Sequence, residues 1–146
     1  PPGYLYSPFR PPYNSRMIFS VSVLGSPYAT AAHVHAQDFC RACLSTGHSV
    51  ARVFFYHDAV YAALRSRVPP QDETDFTLAW QQLAKEHDFE LAVCIANGLK
   101  RGLVDNAEAD RYEINTDTLS DGFTLVGLGQ LVDAIASSDR HVEFPA

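Results

Sequence analysis

The chain has 146 residues, 47% of them apolar and 19% charged, with 11 basic against 17 acidic side chains for a formal charge of −6. That length buries a proper core without demanding a second domain, and the composition excludes a disordered chain or a coiled coil. No apolar run approaches the ~18 residues of a membrane span, and the basic residues are scattered, so a membrane protein and a direct nucleic-acid binder are both disfavoured.

Residues 1–16, PPGYLYSPFRPPYNSR, hold five prolines and no periodicity. They read as an N-terminal extension or expression remnant, with Tyr4, Tyr6, Phe9 and Tyr13 expected to need a surface. A single domain is expected over 17–146. No signal-peptide pattern is present, so the default expectation is a soluble, cytoplasmic protein with reduced thiols.

From Met17 strand-like and helix-like segments alternate. MIFSVSVLG and SVARVFFYH are β-branched and aromatic runs bounded by Gly25, Gly47 and Asp58, and between them apolar residues at 32, 36, 39, 40 and 43 form a helical stripe. A short helix is expected from Asp58, carrying Val60, Tyr61 and Leu64 inward. After PPQDETD comes a helix bearing Phe76, Trp80, Leu83 and Ala84. ELAVCIA is the third strand, Asn106 to Tyr112 a polar helical piece, and GFTLVG the fourth strand. Leu128, Leu131, Val132 and Ile135 mark a last amphipathic helix before the strand HVEF. Strands are therefore expected near 17–24, 49–56, 90–95, 123–126 and 141–144. Strands separated by helices imply an α/β fold, a mainly parallel five-stranded sheet covered on both faces.

Cys94 falls at the carboxyl end of the third strand, where open parallel sheets place ligands and reacting groups. A helix expected to begin at Asn97 and Gly98, with Lys100 and Arg101 close by, would favour the thiolate, which is the nucleophile. The competing reading is a small buried hydrophobe. The C-x-x-C pair Cys40 and Cys43 lies on an apolar stripe late in a helix and reads as reduced and core-facing. His33 and His35, two apart on a helix, cannot serve as paired metal ligands. His57 ends the second strand; with strand order 2-1-3 it would lie two strands, about 10 Å, from Cys94, and the loop GSPYAT would be nearer. That loop has no phosphate-binding fingerprint, so no nucleotide cofactor is expected, and with no second C-x-x-C and no His pair on one face no metal is expected either.

Four blocks, VFFYHDAVY, PPQDE followed by AWQQL, AVCIANGLKRGLVDNAEADR and GFTLVGLGQLVDAIASSDRHVEF, together resemble the TusD/DsrE family of sulfurtransferases, in order and spacing over Met17 to Phe144. The resemblance implies a flavodoxin-like three-layer subunit with Cys94 as catalytic residue and persulfide carrier. It implies TusB/TusC-like or DsrF/DsrH-like partner subunits in a heterohexamer, a TusA-like sulfur donor and a TusE-like acceptor. The implied task is 2-thiolation of the tRNA wobble uridine without direct tRNA contact. A DsrE-like role in dissimilatory sulfur oxidation and a non-catalytic scaffold subunit are the alternatives, and an isolated chain could form a homo-oligomer. Asn97 and Gly98 stand where such proteins usually carry small apolar residues, and Ala59 where glycine commonly follows the aspartate.

Overall fold

The computed structural model describes residues 15–146; the aromatic N-terminal residues singled out above lie outside that range. Five strands form one all-parallel sheet: β1 (Ile18–Val23), β2 (Ser49–Phe55), β3 (Glu90–Cys94), β4 (Phe123–Val126) and β5 (Arg140–Phe144). All five fall within a residue or two of the expected positions.

The strand order is β4-β3-β2-β1-β5, not the 2-1-3 arrangement of flavodoxins. Each of the first three crossovers steps to the next place on the same side. Only the last one returns across the sheet to lay β5 beside β1. The three-layer α/β architecture stands, and β2 rather than β1 is the neighbour of β3.

Alternation along the strands divides the sheet into two faces. Val21, Val23, Val53, Phe55, Leu91 and Val93 face α1 (Ala32–Ser45) and α2 (Phe76–His87), and bury Ala36, Cys40, Cys43, Trp80 and Leu83 with them. α2 starts where Asp75 accepts from the Leu78 N–H, 3.1 Å away, and stops at Asp88, whose φ of 54° ends the helical path. Within this core His33 is fully buried. Its Nε2 is 3.0 Å from the Gly25 carbonyl oxygen, and its Nδ1 accepts from the Trp80 indole N–H at 3.0 Å. Those contacts require a neutral ring with the proton on Nε2.

On the other face α5 (Gly129–Ser137) packs Leu131 against Phe54, Ala92 and Cys94. Beside them the buried hydroxyls of Ser20 and Ser22 meet the two ring nitrogens of His141, at 2.8 and 3.1 Å. The expected apolar stripe of this helix exists, but it divides. Leu128, Val132 and Ile135 remain between 45% and 66% exposed, and only Ala134 is fully buried. The segment after β2 is a 3-10 helix, His57–Ala63, that buries Ala59, Val60, Ala62 and Ala63 and leaves Tyr61 half-buried. The polar piece is α4 (Asn106–Arg111), capped by Asp105 on the Glu108 N–H at 2.9 Å.

Candidate functional site around Cys94

Cys94 is the last residue of β3. Its strand partner on one side is Val126 of β4, and on the other side Val93 pairs with Phe55, so Tyr56 and His57 leave β2 right beside it. The loop after β1 is therefore not the neighbour of Cys94; the end of β2 is. This correction follows from the strand order, because β1 is separated from β3 by the whole of β2.

The backbone does not turn outward after Cys94. It enters at once a five-residue helix, α3 (Ile95–Leu99), for which Cys94 itself is the capping position, so Asn97 and Gly98 lie inside the helix rather than at its start. Gly98 lets α3 settle onto the sheet: a Cβ there would come within 3.3 Å of Leu125 and 3.6 Å of Val93. The turn that follows α3 passes through Gly102, whose φ of 81° favours a residue without a Cβ.

The sulfur is consequently covered. Cys94 is only 1% exposed, enclosed by Phe54 and Ala92, with Tyr56, Val126 and Leu131 packed around them. A sulfur at the carboxyl end of a strand, where reacting groups usually lie open, is here closed over by side chains from β2, β4 and α5. Asn97, three residues on and so on the same side of the turn, donates from Nδ2 to Cys94 Sγ at 3.1 Å. Arg101 Nη1 donates to Asn97 Oδ1 at 3.3 Å and to its carbonyl oxygen at 3.2 Å, while Arg101 Nε donates to Asp58 Oδ1 at 2.8 Å. A chain of polar contacts thus runs Asp58, Arg101, Asn97, Cys94, tying the segment after β2 to the one after β3.

Arg101, expected to act on the sulfur directly, acts at one remove through the Asn97 amide, and Lys100 is exposed. His57 is exposed, with φ of 48° and its ring against Tyr56 at 4.4 Å between centroids. Asp58 was not expected to join the site, and Asn97 was expected as the start of a helix rather than as a donor to the sulfur. The available signals were the three-residue spacing from Cys94 and the acidic residue at a strand end.

The other two cysteines are placed as expected. Both are free and buried on the sheet-facing side of α1. Loss of hydration there pushes the Cys40 thiol up to about 12, helped by the neighbouring Cys43, and burial raises Cys43 as well. Among the described residues no group of three or more His, Cys, Asp or Glu side chains is placed to hold a metal ion. None of the described helices is long and apolar enough to cross a membrane. A groove of about 390 Å³ between α2 and the β3–β4 edge, lined by Gln81, Lys85, Phe89 and Asp121 among others, does not include Cys94.

Comparison with known proteins extends over the same span. The DsrE/DsrF-like family matches residues 17–144. A protein of Vibrio parahaemolyticus named sulfurtransferase TusD homolog is 39% identical over 128 residues, covering 88% of this chain and 98% of its own. Sulfurtransferase TusD of Salmonella dublin and that of Salmonella enteritidis are each 41% identical over 128 residues, again 88% of this chain and the full length of theirs. Among solved structures, the ychN protein from E. coli superposes with a TM-score of 0.65 at 20% identity, over 89% of this chain and all of its own. That likeness concerns the fold. Matched from the first strand to the last, the chain belongs to the DsrE/DsrF-like family.

Proposed function

We propose that the protein is a sulfurtransferase subunit that carries a sulfane sulfur as a persulfide on Cys94. The supporting observation is the end-to-end likeness to proteins named sulfurtransferase TusD. Cys94 is the one cysteine outside the α1 core, and it stands at the carboxyl rim of the sheet. The two α1 thiols, sunk among apolar side chains and raised in pKa, are poor nucleophiles by comparison.

In uptake the Cys94 thiolate attacks the outer sulfur of a donor persulfide, R–S–SH. The donor's S–S bond breaks, a new S–S bond forms on Cys94, and the donor departs as the thiolate R–S⁻. In release an acceptor thiolate attacks the outer sulfur and Cys94 departs as thiolate. A sulfur atom moves between thiols with no net oxidation, so neither step needs a redox cofactor. Because Cys94 is covered, both steps require the side chains of Tyr56 and Leu131 to move aside when a partner docks.

In this reading a TusA-like protein is the donor and a TusE-like protein the acceptor, within an assembly containing TusB/TusC-like subunits, toward 2-thiolation of tRNA wobble uridine in the cytoplasm. The net charge of −6 suits a relay between proteins better than contact with RNA. The test is incubation with a persulfide-loaded donor and location of the added sulfur by mass spectrometry. Sulfur should load on a Cys40→Ser/Cys43→Ser variant and not on Cys94→Ser; equal loading of Cys94→Ser refutes the assignment.

A further inference from the structure

We infer that Asn97 is a positioning residue for sulfur transfer at Cys94, keeping one amide N–H on the sulfur while that sulfur is an anion. The inference rests on the assignment of Cys94 as the sulfur carrier. In the chemistry above, Cys94 is a thiolate twice, as attacking group in uptake and as leaving group in release. Its other neighbours are mostly apolar, Phe54, Ala92, Val126 and Leu131 with the ring of Tyr56, and the sulfur is almost fully buried. An anion in such a place depends on whatever donors the protein supplies, since each charge-assisted hydrogen bond replaces lost hydration.

Asn97 is that donor, 3.1 Å from Sγ and itself only 9% exposed. Its amide has one sensible orientation. Arg101 Nη1 reaches Oδ1, so turning the amide over would set an NH₂ against a guanidinium and an oxygen lone pair against the sulfur. Arg101 is in turn held by Asp58 and by the Asn97 carbonyl oxygen. The guanidinium polarises the amide it donates to, which strengthens the N–H directed at sulfur. A neutral, merely structural thiol would gain little from this arrangement.

The experiment follows alkylation of Cys94 by iodoacetamide in the full chain between about pH 6 and pH 10. It is read on the Cys94 peptide by mass spectrometry, so that Cys40 and Cys43 do not interfere. Each rate is divided by its own high-pH plateau, which removes any change in how easily the reagent reaches the sulfur. Below the plateau the normalised rate should fall about tenfold in Asn97→Ala, the effect of one hydrogen bond to a charged group. It should fall further in Asn97→Asp, which keeps the shape but turns a carboxylate toward the sulfur, and by an intermediate amount in Arg101→Lys. A packing role predicts the opposite order, with Asp nearer to wild type than Ala. If Asn97→Ala unfolds, the other two variants carry the comparison. Normalised curves that coincide with wild type overturn the role of Asn97 even where Cys94 takes up sulfur. Failure of the wild-type protein to load sulfur on Cys94 overturns the functional reading, and the transfer role of Asn97 with it.

Discussion

His33 makes stability depend on pH in a way that can be worked out from its contacts. Burial, opposed in part by the hydrogen bond to Gly25 and reinforced by Arg67, lowers its pKa from 6.5 to about 4. In the unfolded chain the imidazole takes a proton as pH falls through about 6.5, whereas the folded protein resists until about 4. The contribution is therefore complete above pH 6.5 and is lost as pH falls toward 4. The whole displacement is worth about 3 kcal/mol, and the part lost between pH 7 and pH 5 is about 2 kcal/mol. Urea unfolding followed by circular dichroism at both pH values, for wild type and His33→Gln, isolates it. Glutamine can still accept from Trp80 but does not titrate, and other groups, including His141 with its lowered pKa, act alike in both proteins. Wild type should lose about 2 kcal/mol more than the variant between the two pH values. Equal losses would mean that His33 is protonated inside the fold and that the Trp80 contact is drawn wrongly.

Cys40 and Cys43 should stay unmodified when the native protein is treated with iodoacetamide at pH 8 and react at once in urea; rapid native labelling of Cys40 would contradict its burial and raised pKa. Gly25→Ala should destabilise by about 2 kcal/mol and lower Tm by several degrees, since the new Cβ would lie 2.3 Å from Thr30 Oγ1 and 2.7 Å from the Ala32 Cβ. An unchanged Tm would show that the loop yields freely. The double change Leu128→Ser/Val132→Ser should shift folding free energy by less than about 1 kcal/mol in the isolated chain, because both side chains are exposed, and a much larger loss would place them in the core.

The strands and helices were legible because each carries its own period. β3 is a continuous apolar run after Glu90, β2 becomes one from Val53 to Phe55, and the stripe of α1 buries Ala32, Ala36, Cys40 and Cys43 as spaced. Strand order was not legible, since periodicity is local and nothing in ELAVC says which neighbour it will find. The error carried into the site by moving Cys94 away from Tyr56 and Asp58. For α5 the pattern identified residues sharing a face but not what covers them, and Leu128 and Val132 on that stripe are exposed. The position of Cys94 at a strand end could be read, but its covering by Asn97 depends on α3 beginning directly at Ile95. The His33–Trp80 contact also escaped notice. The spacing argument that removed His33 and His35 as paired ligands is sound, but it left open what a buried indole N–H would use as its acceptor.

The return of the last crossover to the far side of β1 has a consequence for how the chain reaches this fold. β1 to β4 are laid down in order, each beside its predecessor, whereas pairing β1 with β5 joins residues 121 positions apart, as in the Ser20–His141 contact. β5 can pair only once β1 is in place and the chain has crossed back over β2 and β3, so assembly should end with this step. Until then β1 presents an open ladder edge beside apolar side chains. Partly folded chains are therefore expected to stick to one another through β1, and the 140–144 segment is the part whose loss would leave that sticky edge permanently available.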